Sequence, residues 1–193
     1  MGKTSIEWTE YTWNPMTGCD KVSPGCDNCY AETFAERWRG TEGHYFENGF
    51  DVQLRPKMLE LPLRWTRPRR IFVNSMSDLF HDLIPDDYIA RVFAVMALAE
   101  QHTFQVLTKR HGRMRSLLRD REFQQQVYEA WGVLETPKNL PTMEDWEWPG
   151  WPLPNVWLGV STENQQRADI RIPALLDTPA AVRWTSAAPL LGP

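Results

Sequence analysis

Three cysteines are the residues of this chain best suited to bind a metal, and all three lie within NPMTGCDKVSPGCDNCYAE, residues 14–32. Two residues separate Cys26 from Cys29, so their sulfurs can reach one metal centre from a single turn. Cys19 precedes Cys26 by the six residues DKVSPG, whose Pro-Gly pair allows a sharp bend. The spacing therefore predicts that three thiolates converge on one centre.

The identity of the metal depends on the number of ligands. A structural zinc site takes four, and the fourth would have to come from His44, His81 or an acidic residue. A four-iron cluster is ordinarily held by four cysteines, so three would leave one iron open to a small molecule. Unligated thiols are a further possibility. A disulfide framework is not expected from an odd number of cysteines without a secretion signal.

The segments that must position these cysteines alternate between strand-like and helix-like patterns. Strands are predicted near SIEWTEYTWNP, before the cysteines, and then at RRIFVNS, TFQVLTK, NVWLGVS and AVRWTSA. Helix-period segments separate the last four: DDYIARVFAVMALAEQ, GRMRSLLRDREFQQQVYEAW and ENQQRADIRIPALLDT. This alternation predicts an α/β fold with a parallel sheet. Because a complete eight-stranded barrel takes about 250 residues, we expect a partial, open (β/α) barrel.

We expect residues 1–193 to form one domain, since this length suffices for a single core. Residues 136–154, TPKNLPTMEDWEWPGWPLP, lack periodicity and are rich in Pro and Trp, so an insertion loop is predicted there. Functional groups of parallel (β/α) folds lie at the carboxyl ends of the strands. The cysteine loop follows the first predicted strand, and this position favours an iron-sulfur cluster over zinc.

Polar residues follow each later strand and are therefore predicted at the same edge of the sheet as the cysteines. In chain order they are Asn74, Ser75, Asp78, Thr108, Lys109, Ser161, Glu163, Asn164 and Ser186. Some have a purely structural alternative. Asp78 and Glu163 can stabilise the start of a helix, and Lys109 can belong to a basic surface.

The composition, 42% hydrophobic and 24% charged residues with a net charge of -4, is that of a soluble globular protein. The longest apolar run, VFAVMALA, is too short to cross a bilayer, and the N-terminus lacks a secretory pattern, so we expect a cytoplasmic protein without a membrane partner. Basic stretches at residues 64–70 and 109–121 predict either a solvated helix face or a surface for nucleic-acid phosphates.

The cysteine segment resembles the cluster loop of radical S-adenosylmethionine (radical SAM) enzymes, in particular relatives of spore photoproduct lyase. A closer resemblance is to a phage- and prophage-encoded three-cysteine-motif family of unknown function. It extends over IEWTEYTWNP, IFVNSMSDLFHD, FQVLTKR, NVWLGVSTENQ and APLLGP. The first gap is longer than in the usual C-x3-C-x2-C loop, Asn28 replaces an aromatic residue, and Ala188 stands where the phage family more often has an acid.

This resemblance implies a [4Fe-4S] cluster on Cys19, Cys26 and Cys29, with S-adenosylmethionine as co-substrate and source of a deoxyadenosyl radical. It places Asn74, Ser75 and Asp78 near the methionyl amine, Thr108 and Lys109 near the carboxylate, and Ser161, Glu163 and Asn164 near the ribose. Nucleic acid is the expected substrate. The alternative is a non-catalytic zinc-binding or partner-binding protein with a degenerate barrel, acting with another phage-encoded protein.

Overall fold

The central element of the computed structural model, which describes residues 2–134 and 147–192, is a five-stranded parallel β-sheet. The strands of the chain are β1 (Tyr11–Trp13), β2 (Met16–Thr17), β3 (Gln53–Leu54), β4 (Arg70–Val73), β5 (Thr103–Thr108), β6 (Val156–Ser161) and β7 (Val182–Ser186). The large sheet has the order β1-β4-β5-β6-β7, so its strands follow chain order. The short strands β2 and β3 form a separate antiparallel pair.

Helices connect the strands of the large sheet. They are α1 (Tyr30–Glu36), α2 (Pro56–Leu59), α3 (Asp86–Leu98), α4 (His111–Arg119), α5 (Arg121–Val133) and α6 (Gln165–Leu176), with 3-10 turns at Pro24–Cys26 and Leu61–Arg64. The predicted α/β fold with parallel strands is confirmed. One difference is that the single helix-period segment after β5 forms two helices. Asp120 separates them, because its carboxylate accepts a hydrogen bond from the Glu122 N–H and begins α5.

The main core lies between one face of the sheet and the helices. Ile71 and Val73 of β4 contribute to it with Phe104 and Val106 of β5. Helix α3 is buried over ten of its thirteen residues, because it packs against α5 as well as against this face. Phe72 lies between Ile71 and Val73 and points to the opposite face, as the two-residue period of a strand requires.

The opposite face of the sheet is partly covered by the N-terminal segment. Lys3 forms an antiparallel bridge with Tyr11, which holds this segment along β1. Trp8 then lies 4.8 Å from Phe72 of β4 and 4.9 Å from Trp184 of β7, measured between ring centroids. Trp184 itself lies across Gly159 of β6, where any Cβ would overlap the indole ring. Three distant parts of the chain thus meet on this face.

The large sheet is open at its two edge strands, since β1 and β7 are not paired with each other in the described part of the chain. A closed barrel is therefore not present there. Of the predicted insertion loop at residues 136–154, residues 136–146 lie outside the described residues. Residues 147–154 form no helix or strand, but Trp148 and Trp151 pack against the main core and Leu153 is buried. Among the described helices, none combines the length and the apolar character needed to cross a membrane.

Candidate functional site

The backbone around Cys19 is fixed directly after β2, the short strand that follows β1. Gly18 adopts a left-handed φ of 89°, and a Cβ at this position would overlap the Asp51 carbonyl, so glycine is required for both reasons. Its N–H donates to the Met76 carbonyl at 2.9 Å, and the Cys19 N–H donates to the Phe50 carbonyl at 3.2 Å. These bonds hold Cys19 close to the loop that follows β4.

The other two cysteines are positioned by a tight turn and a helix start. Cys26 ends the 3-10 turn Pro24–Cys26, where its N–H donates to the Ser23 carbonyl at 2.8 Å. Cys29 is the N-cap residue of α1, and its carbonyl accepts bonds from both the N–H and the hydroxyl of Thr33, each at 3.0 Å. The Pro-Gly bend predicted from DKVSPG is therefore formed as a defined turn.

All three thiols line one cavity of about 390 Å³, which we call the cysteine cavity. None forms a disulfide, and each cysteine is partly buried. Six of the other predicted site residues line the same cavity: Asn74, Ser75, Asp78, Thr108, Lys109 and Ser161. Ser186 lines it as well. The ends of β4, β5, β6 and β7 therefore meet the cysteine loop at one place.

The surroundings of Cys19 disfavour its thiolate. Burial, followed by the nearby Asp78 carboxylate, raises its pKa to about 12, although the Arg110 guanidinium acts in the opposite direction. The thiol donates to the Asp20 carbonyl at 3.4 Å. Within the described ranges, no set of three or more His, Cys, Asp or Glu side chains is arranged to hold a metal ion. The cysteines share a cavity but do not form a ready coordination shell.

Asn74 has an unusual backbone and an unsatisfied side chain. Its φ is 65°, the left-handed region that Asn tolerates better than most residues. The side-chain N–H group donates to the Met16 sulfur. Its Oδ1 atom is buried without a hydrogen-bond partner among the described residues, and the residue itself is only 3% exposed. A buried acceptor in a cavity wall is suited to a ligand that donates a hydrogen bond.

Asp78 uses its carboxylate to join two strand ends. The Thr108 hydroxyl donates to it at 2.7 Å, and the N–H groups of Phe80 and Lys109 each donate at 3.0 Å. Asp78 does not cap a helix, which was the predicted alternative. It lies in a turn over residues 78–81 and is hydrogen-bonded to the end of β5. Asp78 thus lies in the cavity wall with its oxygens already engaged by protein groups.

Glu163 and Asn164 do not line the cysteine cavity. The Asn164 side chain caps α6 by accepting from the Arg167 N–H at 3.0 Å. Glu163 is fully buried and accepts from Arg171 at 2.6 Å, while Arg171 also donates to the Ser161 carbonyl at 2.8 Å. Burial opposes ionisation of Glu163, but hydrogen bonds and the Arg171 charge outweigh it and hold its pKa below the ordinary value.

Several apolar residues of the cavity wall were not predicted as site residues, among them Ile6, Trp8, Phe72 and Leu107. The alternation of core-facing and opposite-facing residues in RRIFVNS and TFQVLTK places Phe72 and Leu107 on one face, so this signal was available. No comparable signal exists for Trp8. Its place depends on how the N-terminal segment crosses the sheet.

The histidines considered as zinc ligands have other contacts. His81 is buried, and its Nε2 lies 3.1 Å from an Asp20 carboxylate oxygen. His44 stacks on Trp38 with ring centroids 4.1 Å apart, and its Nδ1 accepts from the Phe46 N–H at 3.1 Å. Neither residue lines the cysteine cavity.

The two basic stretches form many contacts within the described part of the chain. In the first, the Arg69 guanidinium lies over the Tyr11 and Trp65 rings. In the second, four arginines form ion pairs: Arg110 with Asp82, Arg113 with Asp86, and Arg115 and Arg119 with Asp177. These stretches consequently present less free positive charge than their sequence suggests. Nucleic-acid binding through them remains a prediction.

Comparison with known proteins gives one match. The family described as "Protein of unknown function (DUF5131)" matches residues 3–193. No curated protein and no solved structure matches the chain. The match carries no reaction, ligand or partner with it.

Proposed function

We infer the function of this chain, which belongs to the DUF5131 family of unknown function, from the cavity that its three cysteines share. The chain is a radical SAM enzyme that binds a [4Fe-4S] cluster through Cys19, Cys26 and Cys29. S-adenosylmethionine occupies the cysteine cavity beside the cluster. The observation that carries this proposal is that three free thiols and polar residues from four strand ends line one cavity at the carboxyl edge of a parallel sheet.

The donor types suit iron-sulfur chemistry, although the three side chains would have to turn toward one another to bind a cluster. Thiolates are the usual ligands of iron-sulfur clusters, and the three cysteines line the cavity as free thiols. Three protein ligands leave one iron of a four-iron cluster for a small molecule. The cavity volume of about 390 Å³ lies within the range of small-molecule sites, roughly 300–1,000 Å³. The open order β1-β4-β5-β6-β7 agrees with a partial barrel of the radical SAM type.

Cys19, Cys26 and Cys29 would hold the cluster, which would supply one-electron chemistry: an electron taken from an external reductant would cleave the sulfonium of S-adenosylmethionine into methionine and a deoxyadenosyl radical. The residues of the chain bind and orient that co-substrate. The unpartnered Asn74 Oδ1 accepts a hydrogen bond from the ammonium group of S-adenosylmethionine. Lys109 provides a cation for the carboxylate of the same molecule. The Ser161 hydroxyl, at the end of β6, contacts the ribose.

The apolar wall of the cavity protects a reactive intermediate from water. This wall includes Phe72 and Leu107, which belong to the sheet, and Trp8, which packs on the sheet. Trp8 is packed against Phe72 and Trp184, which fixes its position. Exclusion of water from this side prevents side reactions of the radical.

The test is anaerobic purification followed by measurement of iron, sulfide and zinc. Reductant and S-adenosylmethionine are then added, and deoxyadenosine is quantified. We expect about four irons per chain and deoxyadenosine formation, both lost in Cys26→Ala and both retained in Tyr128→Ala, a change on the exposed surface of α5. Stoichiometric zinc without deoxyadenosine would refute the proposal and favour the zinc-binding alternative.

A further inference from the structure

A second cavity, of about 930 Å³, adjoins the cysteine cavity. We call it the aromatic cavity, because Tyr30, Phe34, Tyr45 and Phe46 line it. The two cavities share Ile6, Tyr30 and Ser75 as wall residues. The Tyr30 hydroxyl donates to the Ser75 carbonyl at 2.6 Å, which fixes the ring at the boundary between them. A group held in the aromatic cavity therefore lies next to whatever occupies the cysteine cavity.

The aromatic rings of this cavity are accessible. Tyr30 is 62% exposed, Phe34 is 45% exposed and Tyr45 is 39% exposed, and grouped exposed rings of this kind can mark an interaction site. Phe34 meets Phe46 edge-on at 5.7 Å, and Tyr45 meets Phe46 edge-on at 5.0 Å. In each edge-on contact one ring covers a face of the other, and the Arg55 guanidinium lies over the Tyr45 ring, 4.1 Å from its centroid. Tyr30 and Phe34, the more exposed rings, are therefore the ones suited to stacking with a flat ligand.

The polar groups of the cavity restrict the ligand further. Its lining includes the hydroxyl-bearing residues Thr4, Ser5, Thr12, Thr17 and Ser75. The Thr17 hydroxyl accepts a hydrogen bond from Arg55 and the Ser75 hydroxyl is bonded to Asn14, so Ser5 and Thr12 are better placed to serve a ligand with hydrogen-bonding groups at its edge. Among the described lining residues, Lys3 is the sole charged side chain and no carboxylate occurs. This charge pattern disfavours a cationic ligand and accommodates an anionic one. A purely apolar ligand would leave the hydroxyl groups without a function.

We propose that the aromatic cavity binds the base of a nucleoside or of single-stranded nucleic acid as the substrate of the enzyme. The inference rests on the proposed function. A base in the aromatic cavity would present its reacting atom to the cysteine cavity at Tyr30 and Ser75, the wall residues that both cavities share. A base has a flat face for stacking and polar atoms at its edge, and in a strand the neighbouring phosphate can be attracted by Lys3. Recognition is by the ring rather than by the arginines of the two basic stretches.

The experiment measures binding of fluorescently labelled single-stranded DNA of about ten nucleotides to the reconstituted protein, by anisotropy. An abasic strand with the same phosphates and free thymidine and adenosine as competitors are the other probes. We expect the abasic strand to bind at least tenfold more weakly. If the nucleosides compete with the strand, a free nucleoside is sufficient for binding. If they do not compete, the base must be part of a strand in order to bind.

Substitution of Phe34 tests the site itself. Phe34→Ala and Phe34→Leu remove the ring and should each weaken binding of the labelled strand about tenfold, since stacking on one aromatic ring is worth roughly this much. Phe34→Tyr keeps the ring and should bind as the unchanged protein does. Tyr128→Ala removes a similarly exposed ring, 46% exposed, from α5 and should have no effect.

Two results would overturn the inference: no binding of the strand or of either nucleoside, or equal binding by the unchanged protein and Phe34→Ala. Deoxyadenosine formation together with either result would leave the proposed function standing and reject the base site. Phe34-dependent binding without iron or deoxyadenosine would instead support the base site and reject the radical SAM activity.

Discussion

At the scale of single residues, the buried carboxylates of Asp78 and Glu163 show that the hydrogen-bond partners of a side chain determine whether it faces the candidate site. Asp78 and Glu163 both follow strands of the sheet and were both predicted to contact the co-substrate. Asp78 lines the cysteine cavity while bonded to Thr108, whereas Glu163 lies outside it, paired with Arg171. Because an unpaired buried charge is costly, Glu163 and Arg171 stabilise each other at the end of β6. The Glu163 side chain also lies against Gly25 of the cysteine loop.

Glu163→Gln should lower the free energy of unfolding by about 3–5 kcal/mol, because it leaves the buried Arg171 without its counter-charge. The double variant Glu163→Gln with Arg171→Met should recover much of this loss, since it removes both charges. Denaturant unfolding of the unchanged protein, Glu163→Gln, Arg171→Met and the double variant measures the coupling energy between the two side chains. Additive effects of the two single changes would contradict an ion pair that acts as a unit.

The same pair predicts a pH dependence. The pKa of Glu163 in the folded protein is lower than its ordinary value of 4.5, so its contribution to stability is complete above that value. The contribution is lost as the pH falls through the lower, folded-state pKa. Unfolding measured from pH ~6 to pH ~3 should show a steeper loss of stability in the unchanged protein than in Glu163→Gln. Parallel curves would contradict this assignment.

At the scale of elements, the contact between β6 and β7 depends on one glycine. Gly159 and Trp184 are paired in register across the two strands, and the indole ring lies over the Gly159 Cα. The ring is then in position to contact Trp8 from the N-terminal segment. A glycine in a strand interior usually weakens the strand, but here it allows the close approach of a ring.

Gly159→Ala should therefore destabilise the protein by about 1–3 kcal/mol, as expected when a methyl group is forced into a packed site. In a Trp184→Ala background the same change should cost much less. Gly112→Ala, in the exposed face of α4 with no atom near its Cβ, should be neutral or stabilising by up to about 1 kcal/mol. Equal effects of Gly159→Ala in both backgrounds would show that the ring is not the obstacle.

At the scale of the whole molecule, the candidate site joins parts of the chain that are far apart in sequence. The cysteine loop follows β1 and β2, while Asn74, Thr108 and Ser161 come from the ends of β4, β5 and β6. A group bound by all three thiols would consequently favour the folded chain over the unfolded one. Binding and global stability are then linked.

Removal of iron with a chelator, under anaerobic conditions, should lower the melting temperature by roughly 5–10 °C. This shift corresponds to a bound group whose free concentration was about a hundred times its dissociation constant. The physical reason is that the chelated protein loses the binding free energy that only the folded state gains. Cys26→Ala should show no change on chelation. Scanning calorimetry checks both, and equal melting temperatures before and after chelation would contradict a cluster held by the folded cysteine loop.

The alternation of strand-like and helix-like segments is enough to predict the parallel sheet and the polar residues along one edge of it. Apolar strands alternating with helix-period segments leave few other arrangements, so the ends of RRIFVNS, TFQVLTK and NVWLGVS had to meet beside the cysteine loop. Membership of a family of unknown function, expected from the resemblance, is also confirmed. The division of the segment after β5 into α4 and α5 was missed, because Asp120 is a local cap within a continuous apolar period.

Which of these polar residues face the cavity depends on contacts between distant parts of the chain. Glu163 turns to Arg171 and Asn164 to its own helix, whereas Asn74 keeps an unpartnered oxygen at the cavity wall. The tertiary fold also brings Trp8 onto the sheet and places the aromatic cavity beside the cysteine cavity. Periodicity fixes the face of an element to which a side chain points, but its partner depends on contacts between segments that are distant in sequence.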